Sequence, residues 1–407
     1  MREMAQTQSS NQLWIADKIL MGLSLRDYVR SLMTPGNLVV AAIFIVGIPL
    51  IVYRFAFGLG ASTALTQEAP WGLWIGLDML SGVALAAGGY TMATAVHIFN
   101  IKALRPVVRP ALLTGFLGYL FAVIGLTADL GSPWRLPVPI ALSHGTMSVM
   151  FEVAWCVCIY LMVLGFEFLP PVFEWLGWSK ARQVVVKYTL AATVLGTMLS
   201  TLHQSSLGGL FLLAKDKLHP LWYSSYIPLF FFVSSIAAGI TMVIFESAVS
   251  HRAFRDQLDP HAHVDLDGIT LTLARGAAVV LFSLFFLRVQ GFLETARWDL
   301  LPTAYGAWFL FEVLGFILIP ALLFAWATRA RKVTFIRALA AWTVLGVVVN
   351  RINVSMIAMN WTRSENYVPN WIEIMVSITI ITIGVQTFRW IVNRMPVLHE
   401  APGYPAH

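Results

Sequence analysis

The chain has 407 residues, 58% of them hydrophobic and only 12% charged, with a formal net charge of +6. A soluble domain carries about 25% charged residues, and here the apolar residues gather into long runs, so the composition excludes a soluble enzyme or a nucleic-acid-binding protein. It defines an all-α, polytopic membrane protein whose constant neighbour is the lipid bilayer.

The first 36 residues are mixed and charged, with no short apolar core before a cleavage-like site, so no secretory signal is expected. Within them, residues 13–33 place apolar side chains on one side and Asp17, Lys18, Arg26, Asp27 and Arg30 among the rest, the pattern of an interfacial helix. Pro35-Gly36 then breaks the chain. Ten membrane spans follow, expected at 37–58, 71–99, 107–131, 142–168, 184–206, 222–249, 269–290, 305–328, 335–360 and 370–393. Spans 2–5 and 6–9 are each four helices starting from the same side. This divides the chain into a cytoplasmic segment (1–36), a first flanking span (37–70), a four-helix bundle (71–221), a second bundle (222–369) and a last flanking span with its tail (370–407).

Basic residues set the orientation. The N-terminus, the even-numbered loops and the C-terminus hold 19 of the 27 Lys and Arg residues, leaving 8 for the other side. Both termini are therefore expected in the cytoplasm of a bacterial inner membrane, with loops 59–70, 131–141, 207–221, 291–304 and 361–369 in the periplasm.

Ionisable residues inside spans are costly and by default mark a proton or ligand pathway. Most of the intramembrane polar residues, ionisable or not, fall in the periplasm-facing half: Asp78, Asp129, His144, Glu152, His203, Gln204, Glu312, Arg351, Asn353 and Glu373. In the inner half His97, Glu167 and Glu246 stand near its edge. His144, Ser148 and Glu152 are spaced i, i+4, i+8, which on a helix makes one stripe carrying Glu152 about 12 Å beyond His144. The alternative for Glu152 is a hydrogen bond that merely holds two helices together. Below it, Tyr90, Thr94 and His97 on span 2 and Thr193 and Thr197 on span 5 offer a proton trail toward the cytoplasm without a carboxylate.

Other groups carry two readings each. His203 is either a ligand or carboxylate partner or a cap where span 5 ends at Ser205-Ser206. Trp71 and Trp74 are an aromatic belt or the wall of a ligand site. The loop 250–268 holds His261 and His263 among Asp259, Asp265 and Asp267, but reads as a solvated loop, so no metal site is expected. Cys156 and Cys158 share one apolar run in a C-x-C spacing that points them apart, and an iron–sulfur cluster takes four thiolates. Two stacked haems would take four intramembrane histidines, and His97, His144 and His203 are the ones available. A single haem between His144 and His203 is the alternative to the expectation that the chain holds neither haem nor cluster.

Several runs together resemble the NrfD/polysulfide-reductase membrane-subunit family, in its branch with the hydrogenase-2 membrane subunit and that of the periplasm-facing quinone reductase complex of sulfate reducers. They are Pro70-Trp71-Gly72-Leu73-Trp74-Ile75-Gly76-Leu77-Asp78 with the glycine-rich Gly82–Tyr90 after it, Arg105-Pro106 and Arg109-Pro110, Phe151-Glu152, His203-Gln204-Ser205-Ser206-Leu207-Gly208, and His219-Pro220-Leu221-Trp222. The resemblance implies a menaquinone-reducing subunit fed by a periplasmic ferredoxin-like iron–sulfur protein, with a hydrogenase, multihaem cytochrome or molybdopterin-type protein further upstream. It places Asp78, Glu152, His203 and Gln204 near the quinone or its proton path; geometry adds His144 and Asp129. The competing class is a proton-coupled secondary transporter built from two repeats. The deep carboxylates, Asp78 and Glu152 in one half and Glu312 in the other, match that plan in part.

Overall fold

Within lipid a backbone must satisfy its polar groups internally, and long apolar runs do so as helices. The computed structural model describes residues 18–142, 145, 147–254 and 265–399. Among these it has ten helices long and apolar enough to cross a membrane, and no strand. Spans 1 to 10 run over Pro35–Phe57, Trp74–Ile98, Lys102–Asp129, Val149–Leu176, Ser179–Leu212, Ile227–Ala253, Leu266–Thr295, Ala304–Arg329, Val333–Thr362 and Trp371–Val392. Ten crossings bring the described chain ends to one face, here called proximal. The loops after odd-numbered spans lie at the distal face.

Consecutive spans from 2 to 9 pack side by side, and span 6 also packs on span 9. Span 2 is shared: it meets span 3 on one side and spans 6 and 9 on another. Spans 1 and 10 pair with each other and lean on span 3. Glycines make span 2's close approaches possible. A Cβ on Gly239 of span 6 would stand 2.7 Å from the backbone of Ala87 and Gly88, and one on Gly115 of span 3 would stand 3.1 Å from the carbonyl of Ala86. The backbone of span 2 is itself uneven. It widens into i→i+5 turns over Trp74–Ser81 and again over Thr94–Ile98. Such π-turns free backbone groups and recur at functional positions. In the first of them the Ser81 hydroxyl bonds back to the Gly76 carbonyl at 2.8 Å.

Three expectations are corrected. Span 4 starts at Val149, seven residues later than its apolar composition suggested, and Ser148 holds the extended geometry of an N-cap (φ −95°, ψ 125°). Ser, Gly and Thr favour turns over helix interiors, and Ser143, Gly145, Thr146 and Ser148 crowd this stretch. The span runs on through Pro170 and Pro171 to Leu176, where Gly177 closes it at φ 77°. Span 5 likewise passes Ser205-Ser206 and ends at Leu212, so His203 is not a helix cap. The interfacial segment is a short helix, Leu25–Ser31, set off by Met21 and Gly22 at positive φ; residues 13–17 lie outside the described part.

Candidate functional site

The candidate residues fall into four groups. The first is at the junction of spans 1, 2, 3 and 10. Asp78 is buried there, packed over Gly125 of span 3, with one oxygen accepting from Ser377 at 2.6 Å and the other without a partner. Asp129 stands within electrostatic range of Asp78, Glu373 and Arg54. Arg54 donates to the carbonyls of Ala128 and Leu130 at 2.5 and 2.6 Å. Glu373 accepts from the Ala64 and Asn370 amides and from the Tyr367 hydroxyl, which itself accepts from the Leu73 amide. Trp74 is buried in this junction, its indole N–H donating to the Glu373 carbonyl at 3.1 Å. It therefore belongs to no aromatic belt. Trp71 is half-buried and packs edge-on against Phe211, with ring centroids 5.3 Å apart.

The second group is the interior of spans 2–5. His203 has no exposed surface. Its Nδ1 stands 2.8 Å from the Leu199 carbonyl, an acceptor only, so Nδ1 carries the proton and Nε2 accepts from the Tyr119 hydroxyl. Gln204 donates to that hydroxyl at 3.2 Å and to the Val83 carbonyl at 3.1 Å. Tyr160 lies edge-on to Tyr119 at 4.8 Å and tilted against His203 at 5.4 Å. Ser200 sits between the Tyr119 and Tyr160 hydroxyls without closing a bond of good geometry. Tyr90 reaches Ser235 of span 6 at 3.3 Å. Tyr119 and Tyr160 were not singled out from the sequence, because a tyrosine in an apolar run carries no signature of its own.

The third group continues toward the proximal face. The Thr94 and Thr197 hydroxyls are 2.6 Å apart, Thr197 donates to the Thr193 carbonyl at 2.8 Å, and Thr193 donates to Glu167 at 2.6 Å. The trail thus gains the carboxylate it was expected to lack. Glu167 is only 5% exposed, and span 4 runs nine residues past it, so it lies well inside rather than at the edge. It also acts electrostatically on Tyr160. His97 is half-buried at the end of span 2, with Arg105 nearby.

The fourth group is Glu152, half-buried and accepting from Ser206 at 2.7 Å. It is in the first turn of span 4, about 4.5 Å below its start, and not deep in the membrane. Ser148 is an exposed, non-helical residue before that start, and His144 lies outside the described residues. The proposed His144–Ser148–Glu152 stripe is therefore not present as one helix face. Of the loop 250–268, residues 255–264, with both histidines, are also outside the described part. Asp265 caps span 7 and Asp267 pairs with Arg337 at 2.9 Å. Among the described residues no three His, Cys, Asp or Glu side chains come together as a metal site.

Outside the spans, His219 is enclosed by aromatic rings, stacked on Tyr305 at 4.6 Å and edge-on to Trp361 at 5.2 Å. Its Nδ1 accepts from the Leu221 amide, and burial, with Arg297 adding, pushes its pKa down to about 4.

Ten candidate spans enclosing a buried column of tyrosine, histidine and carboxylate define a polytopic helical membrane protein. The chain belongs to the Polysulphide reductase, NrfD family, which it matches over residues 61–362. A protein of Nitratidesulfovibrio vulgaris is 47% identical over 377 residues, covering 92% of this chain and 97% of that protein. The probable Ni/Fe-hydrogenase 2 b-type cytochrome subunit of Escherichia coli is 34% identical, over 86% of this chain and 88% of its own length. The integral membrane subunit of menaquinone reductase from N. vulgaris is 27% identical over the same shares. This chain is an NrfD-family membrane subunit related to those of reductase and hydrogenase complexes.

Proposed function

We propose that this chain is the quinone-reducing membrane subunit of a respiratory complex in the bacterial inner membrane. Electrons arrive from an iron–sulfur subunit docked on the distal, periplasmic face, supplied in turn by a hydrogenase, multihaem cytochrome or molybdopterin-type protein. Menaquinone is reduced near the distal ends of spans 4 and 5, and its protons come from the cytoplasmic side. The observation that carries this reading is the buried succession Glu167, Tyr160, Ser200, Tyr119 and His203, which spans the interior of one helix group and leads toward Glu152. The relationship to a menaquinone reductase subunit supports the substrate. The alternative of a secondary transporter loses its footing once the chain is an NrfD-family member.

Glu152 suits the quinone end because it is half-buried and, with Ser206, places a carboxylate and a hydroxyl near the distal ends of spans 4 and 5. A general acid that far out delivers a proton to a quinone oxygen without the ring entering the packed interior. A shallow apolar groove of about 340 Å³ on the outer side of spans 4 and 5, lined by Ile159, Met162, Phe166, Tyr188 and Leu195, has the chemistry to seat part of an isoprenoid tail. His203 acts from behind as a proton carrier paired with Tyr119, and Gln204, donating to the same hydroxyl, holds Tyr119 in place rather than contacting the quinone. Asp78 and Asp129 face spans 1, 3 and 10, and bear on the site through span 2.

One relative's name includes a b-type cytochrome. In this chain Nε2 of His203 accepts from the Tyr119 hydroxyl, so haem ligation there would break that buried hydrogen bond. The test is purification of the complex and its reconstitution in proteoliposomes with an electron donor and menaquinone. The subunit should co-purify with iron–sulfur protein, add no haem absorption, and generate a membrane potential during quinone reduction. Isolation as a lone protein without quinone reductase activity overturns the reading.

A further inference from the structure

Spans 6–9 contain a second buried charge cluster, independent of the quinone reading. Glu312 on span 8 is 1% exposed. It accepts from the Trp222 indole at 2.8 Å, from the Asn350 amide at 2.6 Å and from the Asn353 amide. Arg288 of span 7 approaches it at 3.7 Å. Arg351 of span 9 donates to the Asn350 side-chain oxygen at 2.9 Å, to Ser234 at 2.8 Å and to the Phe231 carbonyl at 3.2 Å.

The charges do not balance. Two guanidiniums face one carboxylate, and Glu312 is the carboxylate that acts on either of them among the described residues. Even with Glu312 fully charged, one positive charge is left in the membrane interior. An excess of carboxylates relieves itself by taking up protons, but a guanidinium keeps its proton in a protein. The faces of Phe230 and Phe231, 4.7 and 3.8 Å from the two guanidiniums, soften the charge without cancelling it. Both Arg288 Nε and Arg351 Nε are buried without a partner. Arg288 also borders a cavity of about 20 Å³ walled by Ser234, Glu312, Asn350 and the apolar Leu281 and Leu284. About 10–15 Å³ is enough for a water, so the space suits one small monatomic ion.

We propose that this cavity is a binding site for one halide ion, chloride in the cell. The Arg288 Nε–H and the second amide hydrogen of Asn350 are its donors, and Arg351 supplies further positive potential. The oxygens of Glu312 are already turned to Trp222, Asn350 and Asn353. With the anion bound the cluster is neutral, and spans 6, 7, 8 and 9 are tied together through it.

The test is equilibrium dialysis of the purified complex in detergent against radiolabelled chloride. Wild type should bind one saturable equivalent, displaced by bromide but not by sulfate or gluconate at the same ionic strength. Arg288→Gln removes the excess charge and should bind none, while Arg288→Lys should bind with roughly tenfold weaker affinity. No saturable binding in folded wild type, displacement by sulfate as effective as by bromide, or a full equivalent retained by folded Arg288→Gln overturns the proposal. If Arg288→Gln does not fold, the competition series on wild type decides alone.

Discussion

Glu152 and Glu167 are both carboxylates on span 4, fifteen residues and about 22 Å apart along the helix, and their settings assign them different work. Glu152 is half-buried in the first turn of span 4, near the distal face. Its replacement by Gln keeps size and the Ser206 hydrogen bond but removes the transferable proton. Glu152→Gln should leave assembly intact and slow menaquinone reduction about 10- to 100-fold, with Glu152→Asp between; stopped-flow quinol formation measures it, and a near-normal rate would reduce Glu152 to a packing residue. His219 yields a pH prediction. Its pKa lies near 4 in the folded protein and about 6.5 when the loop opens. The opened form thus binds the extra proton between those values, and stability falls as pH drops from about 6.5 toward 4, with no His219 contribution above that window. The thermal midpoint should therefore decline on acidification in that range, and His219→Gln should decline less. Equal declines in the two proteins refute a buried neutral His219.

Among the elements, span 2 has the tightest constraints. It is wedged against spans 3, 6 and 9, and its glycine-rich run is what lets the backbones touch. A methyl added at Gly239 would lie 2.7 Å from the span 2 backbone, which cannot rotate aside as a side chain can. Gly239→Ala should cost about 1–3 kcal/mol, seen as a lower melting temperature in detergent, whereas Gly36→Ala, with nothing within 4 Å, should be silent. The Arg109-Pro110 run has an equally concrete role. Arg109 forms a two-pronged pair with Glu174 at 2.9 and 2.8 Å and donates to the Pro396 carbonyl at 3.0 Å. Arg182 joins Glu174 at 2.7 Å. One carboxylate so ties spans 3, 4 and 5 to the tail.

For the whole molecule, the direction of proton uptake decides whether quinone reduction conserves energy. Protons drawn from the proximal side toward electrons entering distally move charge across the membrane. Glu167→Gln should then reduce quinone turnover and the potential of proteoliposomes together, while Ser377→Ala, on the other side of span 2, should spare the coupling between them. Full turnover and potential in Glu167→Gln would remove Glu167 from the path. Orientation is checked independently. Gln67 and Ser364 are exposed on distal loops, so cysteines there should react with an impermeant thiol reagent on whole cells, and protection until lysis would turn the protein over.

The class, the number of spans and their order follow from local chemistry, since runs of apolar residues about twenty long have no other stable form in lipid. So do the residues worth suspecting, because an ionisable group inside such a run is conspicuous by itself. Partnership is different. Which face Asp78 presents, that Trp74 is buried against Glu373, and that Glu167 meets Thr193 depend on how helices hundreds of residues apart are rotated and spaced. Span 4 shows the limit most plainly: a stripe drawn over residues 144–152 on an ideal helix does not hold, because the helix begins at Val149 and leaves Ser148 outside it. Tyr119 and Tyr160 became visible only once four spans had closed around them. A lone tyrosine in an apolar run has no preferred partner, and what it meets, His203 and Gln204 for Tyr119 and the rings of Tyr119 and His203 for Tyr160, comes from tertiary packing alone.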